Sequence, residues 1–117
     1  SNASDEGAAG AGCGGAKTGT GYSVTMASDP DPPKAEGTLF HLTVRHDGAV
    51  VTGAKVCVTA DMAEMHHEGI IGKAKEATGG TYDTSLKFGM RGPYAATVVI
   101  TEKGKPPLAV PLTFQVA

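Results

Sequence analysis

From residue 22 onward the chain alternates apolar and polar residues with a period of two, the mark of half-buried strands. Tyr22, Val24 and Met26 alternate with Ser23, Thr25 and Ala27, and Phe40, Leu42 and Val44 with His41, Thr43 and Arg45. Val56, Val58, Ala60 and Met62 make a third apolar row, and Tyr82, Thr84, Leu86, Phe88 and Met90 a fourth. Ala96, Val98 and Ile100 follow a predicted turn at Gly92-Pro93, and Val110, Leu112, Phe114 and Val116 follow Lys103-Gly104-Lys105-Pro106-Pro107. Between the rows stand breakers. Asp29-Pro30-Asp31-Pro32-Pro33 ends a strand because proline donates no ladder hydrogen bond, and Asp47-Gly48 is a strong turn pair. Only 63–77 has any helical tendency, which Gly69 and Gly72 weaken. Roughly six or seven short strands with turn chemistry between them predict an all-β fold, an immunoglobulin-like antiparallel β-sandwich of about seven strands. The Cys-Trp-Cys hallmark of antibody domains is missing, so the likeness is one of architecture.

Residues 4–20 are mostly small and polar, without periodicity. Such a segment cannot bury enough apolar surface to offset its ordering entropy. The expected organisation is a disordered N-terminal tether over 1–20 and one sandwich domain over 21–117. Ser1-Asn2-Ala3 reads as the scar of tag cleavage. A tether of this kind suits a lipoprotein held off a membrane or a domain spaced from a signal sequence. An apolar secretory segment is therefore expected within about 30 residues upstream. No run approaches the roughly 18 apolar residues of a membrane helix, so these residues would be anchored near a membrane rather than span it.

Composition refines this little. Seventeen glycines, seven prolines, three Phe and no Trp fit short strands, many turns and a modest core. A net charge of −2 with scattered Lys and Arg argues against nucleic-acid binding. The two cysteines leave two readings open. Cys13 and Cys57 can close a loop of roughly 44 residues, stabilising the fold by about 4 kcal/mol. Alternatively Cys57 is a small strand hydrophobe and Cys13 a free tail cysteine.

The candidate chemistry lies at Met62-Ala63-Glu64-Met65-His66-His67, with Met90 downstream. Thioether and imidazole are the ligand types that select copper, Cu(I) above all. Parity places Met62 in phase with Val56, Val58 and Ala60, and Met90 in phase with Leu86 and Phe88, so both are expected to point inward. Either they plug the end of the core, as methionines do, or they join Met65 and His67 at one mouth of the sandwich. His66 is a second imidazole ligand or an exposed neighbour. Glu64 and Glu68 are outer partners for an imidazole N–H or solvated carboxylates. His41 on an outward face and His46 in a turn read as solvated. Asp29 and Asp31 have too few companion oxygens for a calcium site. No Ser-His-Asp arrangement, phosphate-binding glycine loop or CxxC occurs, so catalysis is not expected.

Residues 22 to 116 resemble the YtkA-like domain of secreted or membrane-anchored bacterial proteins, akin to the periplasmic part of FixH-like proteins. The resemblance is carried by Tyr22-Ser23-Val24 and by Asp47-Gly48 ahead of Val50-Val51-Thr52-Gly53-Ala54-Lys55-Val56. It continues in Met62, Met65 and His67 at the spacing Met-x-x-Met-x-His. The last stretch is Gly80-Thr81-Tyr82 running into Phe88-Gly89-Met90-Arg91-Gly92-Pro93-Tyr94. The family usually has Pro after the first Met and Trp in the last motif, where this chain has Ala63 and Tyr94. The resemblance implies an extracytoplasmic immunoglobulin-like sandwich with a copper-related role.

The expected function is thus a non-enzymatic module, secreted or lipid-anchored at the outer face of a bacterial membrane, that holds or transfers copper through Met62, Met65, His66, His67 and Met90. Its expected partner is a copper-receiving or membrane protein of the cell envelope, and it is expected to be a monomer. The alternative is a metal-free binding or scaffold domain of an envelope system.

Overall fold

Nine strands and no helix are found among the residues that the computed structural model describes, which are 13, 14, 16–62 and 70–117. They are β1 (Lys17–Thr18), β2 (Tyr22–Asp29), β3 (Thr38–His46), β4 (Ala49–Val50), β5 (Lys55–Met62), β6 (Ile70–Thr78), β7 (Thr81–Leu86), β8 (Gly92–Thr101) and β9 (Leu108–Val116). The all-β fold agrees with the alternation. The two-sheet antiparallel sandwich of about seven strands does not describe it fully. The strands run in one continuous order, β1-β9-β8-β5-β6-β7-β3-β2, with β4 paired to β3 and β1 lying parallel to β9.

Strand β6 makes the sheet continuous. Its first half pairs with β5 (Ala60↔Ile70 through Val56↔Ala74), and its second half pairs with β7 from Lys75↔Asp83 onward. A register shift between Glu76 and Thr78 lies in the second half, the kind of irregularity that bends a strand and raises its twist. The sheet therefore curls back on itself instead of splitting into two. Half of the 63–77 segment with helical tendency is thus strand. Gly72 explains why it reads ambiguously: a Cβ there would stand 2.4 Å from Thr84 Oγ1 and 2.6 Å from Leu86 Cδ2. The glycine is a packing requirement of close strand approach. The other two unforeseen strands, β1 and β4, are two residues each, too short to carry a period.

The apolar rows close on one another across the curl. Val24, Phe40, Leu42, Val44 and Leu86 from one half meet Val56, Val58, Ala60, Val98 and Ile100 from the other in a single buried cluster. The Phe40 ring lies 5.4 Å from Phe114 across the gap. Asp47 and Gly48, with φ of 51° and 87°, form the two-residue turn between His46 and Ala49, as the Asp-Gly pair predicts. Tyr82 is fully buried; its hydroxyl donates to the Val51 carbonyl at 2.8 Å and accepts from the Ala54 N–H at 3.2 Å. That single side chain ties down the 51–54 loop.

Cys13 and Cys57 are disulfide-bonded, which closes the question their spacing leaves open. β1 then pairs with Leu108 and Ala109, and the Gly19 N–H donates to the Ala109 carbonyl at 2.8 Å. From Cys13 onward the expected tether is in fact fastened to the sheet. Composition misses this because one covalent bond and a two-residue ladder replace the apolar burial the segment lacks. Val99 and Ala109 have the opposite parity to their inward-facing neighbours, yet they are 2% and 3% exposed and lie outside the core cluster. They sit in one cross-strand row with Cys57 and Thr18. This outer row is covered where the N-terminal segment crosses it.

Candidate functional site

Met62 is the last residue of β5 and stands opposite Tyr94 of β8. It is 8% exposed and belongs to the core cluster, as its parity predicts. Its methyl end reaches the start of β8: a Cβ on Gly92 would come within 2.9 Å of Met62 Cε. Met90 lies two residues before Gly92, in the β7–β8 connection, and is 41% exposed. The expectation that Met90 points inward is therefore corrected. β7 ends at Leu86, four residues before Met90, and Gly89 turns the backbone at φ +81°. The alternation of Leu86 and Phe88 does not continue through such a left-handed residue. The predicted Gly92-Pro93 turn also falls earlier, since both residues already belong to β8.

Tyr94 holds this end in shape. It is 1% exposed, and its hydroxyl donates to the Met90 carbonyl at 2.9 Å and lies 3.4 Å from the Phe88 carbonyl. Burial pushes its phenol pKa up. Phe88, 4.8 Å from the Tyr94 ring and 5.7 Å from Phe114, seals the connection from below. A buried aromatic thus fixes the backbone that carries an exposed thioether. The aromatic in Phe88-Gly89-Met90-Arg91-Gly92-Pro93-Tyr94 is the signal that could have singled out Tyr94.

Met65, His66 and His67 lie outside the described residues. The residues that bracket their segment, Met62 and Ile70, stand at the same end as Met90, since Ile70 pairs with Ala60. Among the described residues no three His, Cys, Asp or Glu side chains gather closely enough to hold a metal ion. His41 lies on the outward face, with Nδ1 2.8 Å from Asp83 Oδ1. His46 is the last residue of β3 and stacks on Tyr22 at 4.1 Å with the rings 6° from parallel.

Tyr22 also donates to Glu102, 80 residues away in the chain, an arrangement no local pattern reveals. The hydrogen bond to Glu102, then burial, then the Glu102 and Asp47 charges push the Tyr22 phenol up to about 12. The same bond holds the Glu102 carboxyl below its usual range, against burial and with help from Lys105. A raised folded-state pKa stabilises the fold below the usual tyrosine value of 10.0, and that contribution is lost as pH climbs to about 12. The Glu102 contribution is present above its usual value of 4.5 and is lost as pH falls through the lowered one. Burial also raises Tyr82, so tyrosinate absorbance should show no phenol ionising at 10. Glu102→Gln should bring one of the three back towards that value. An unchanged alkaline titration would remove the Tyr22–Glu102 bond as the cause.

A profile of the YtkA-like family matches residues 16–99. Among curated proteins the sequence has no match. The crystal structure of a DUF4426 family protein from Pseudomonas aeruginosa PAO1 aligns with a TM-score of 0.55 at 11% identity, covering 86% of this chain and 94% of that one. At that identity the likeness is one of fold.

Proposed function

The chain belongs to the YtkA-like family, and from that membership and its soft-ligand end we propose an extracytoplasmic, non-enzymatic module that holds or transfers copper. One observation carries the reading. Met62 and Ile70, which bracket the Met65-His66-His67 segment, and the exposed Met90 stand at one end of the curled sheet. Thioethers and imidazoles supplied there suit Cu(I), with Cu(II) drawing more on the imidazoles. Met62, Met65, His67 and Met90 are the proposed ligands, with His66 as a further imidazole. The seven longer strands are read as an immunoglobulin-like frame that presents this mouth. The Cys13–Cys57 bond supports a place outside the reducing cytoplasm, and the partner is a copper-accepting protein of the cell envelope. The module acts as a monomer.

Titration with Cu(I) against a competing chelator tests this directly. One Cu(I) should bind in preference to Zn or Mg. Affinity should fall as pH drops through about 6.5, because only neutral imidazole ligates. Failure to compete for Cu(I) would leave the second reading, a metal-free binding or scaffold domain, which the burial of Met62 in the core favours.

A further inference from the structure

Cys57 lies on the outer face of the sheet, in a cross-strand row with Lys73 on one side and Val99 on the other. Both cysteines are half-buried, and an open cleft of about 550 Å³ is lined by the pair of them together with Lys55, Lys73, Val99 and Thr101. Among the described residues lining it, the charged ones are Lys55 and Lys73; none is acidic. The nearby Glu76 carboxylate is engaged by the Gly53 and Gly80 N–H groups. The disulfide is thus not sealed in the core. It stands in a solvent-open cleft walled by two cations.

We propose that Cys13–Cys57 is a thiol–disulfide exchange site for small thiols that carry carboxylates, of which glutathione is the probe. The lysines draw in the anionic thiol and stabilise the thiolate that departs. Lys73 is the direct cross-strand neighbour of Cys57, and Lys55 lies two residues away on the same face. Cys57 is therefore the better leaving group, since a leaving thiol of lower pKa departs faster and nearby cations lower that pKa. The incoming thiolate attacks Cys13 Sγ; the Cys13–Cys57 bond breaks, and its electron pair leaves on Cys57 Sγ. A second thiolate then attacks the external sulfur of the mixed disulfide and releases Cys13 as thiolate. Two external thiols are oxidised to one disulfide, and the protein disulfide is reduced by two electrons. Among the described residues, β1 and Gly19 are then what hold the N-terminal segment, and the cover over Val99 and Ala109 loosens.

The test is reduction of the folded, full-length chain by glutathione and by uncharged 2-mercaptoethanol at low ionic strength, with acid quench, alkylation and mass spectrometry. Each rate is divided by that thiol's rate on an unstructured disulfide. Glutathione should show the higher normalised rate, and the trapped mixed disulfide should sit on Cys13. In K55Q/K73Q, or in molar salt, the glutathione advantage should fall by about three- to tenfold while the 2-mercaptoethanol rate changes less. A bond that resists both thiols until denaturant is added overturns the proposal. So does a glutathione advantage that survives loss of both lysines, or a mixed disulfide on Cys57.

Discussion

Met62→Ala should cost about 2–5 kcal/mol of folding stability, whereas Met90→Ala should change it by no more than about 0.5 kcal/mol. The two methionines share a chemistry and one end of the fold, but not an environment. Met62 is 8% exposed and packs in the core against the backbone at Gly92; Met90 is 41% exposed on a connection beyond the strand. Truncating the first leaves a cavity among close-packed strands, and truncating the second removes a side chain already partly in water. Copper affinity cuts the other way. If both sulfurs are ligands, both changes weaken Cu(I) binding, and only one of them weakens the fold. Met62→Leu separates the two roles at Met62, because a near-isosteric swap costs less than about 1.5 kcal/mol yet deletes the thioether. Urea unfolding and chelator-competed Cu(I) titration of the three variants supply the numbers. Parental copper affinity in Met62→Leu would strike Met62 from the ligand set, and the same result in Met90→Ala would strike Met90.

The alternation of apolar and polar residues made most of the fold legible. The rows through Val24, Phe40, Val58, Tyr82, Val98 and Val110 are strands whose apolar members face one core. Alternation is informative there because those strands bury one face and leave most of the other to solvent, the exceptions being Val99 and Ala109 on the outer face of β8 and β9. It misleads at Met90 because a period carries no warning of where a strand stops: β7 ends at Leu86, and Gly89 then turns the backbone left-handed. β6 stayed hidden for a different reason. Its pattern is dominated by exposed positions and a glycine, and the glycine is demanded by Thr84 and Leu86, side chains of another strand. The curl was out of reach of any single strand's pattern, since it depends on β6 dividing its hydrogen bonds between β5 and β7.

The candidate site was legible in its residue types and only in part in its frame. Soft ligands crowd together in the sequence, and the strand ends that bracket them do meet at one end of the sheet. What holds that end was not foreseeable from composition. Tyr94 reaches back four residues to the Met90 carbonyl, a contact that exists only once the connection has folded over the aromatic. The same holds on the outer face. Lys73 is sixteen residues from Cys57 in the chain, and the register of β5 on β6 alone makes them neighbours.

Removing the disulfide, as in C13S/C57A, should lower stability by about 4 kcal/mol. The bond spans a sequence separation of 44, and the loss of loop-closure entropy in the unfolded chain sets that scale. Against the roughly 5–15 kcal/mol that keeps a domain folded, this is a large fraction. The core itself does not depend on the bond. The apolar cluster is built from β2, β3, β5–β9 and packed residues beside them, none of them N-terminal to Tyr22. The variant should therefore still fold, with β-rich circular dichroism and a single cooperative transition at lower denaturant. Its denaturant slope also carries information. If the freed N-terminal segment leaves the outer face, Val99 and Ala109 are already uncovered in the native state. Less surface is then newly exposed on unfolding, and the slope falls with it. If β1 stays paired with Leu108 and Ala109, that loss of slope is absent, and the more expanded unfolded chain raises the slope as the midpoint falls. A loss below about 1 kcal/mol would mean that the unfolded chain gains little freedom when the loop opens, contrary to the entropic account of the bond.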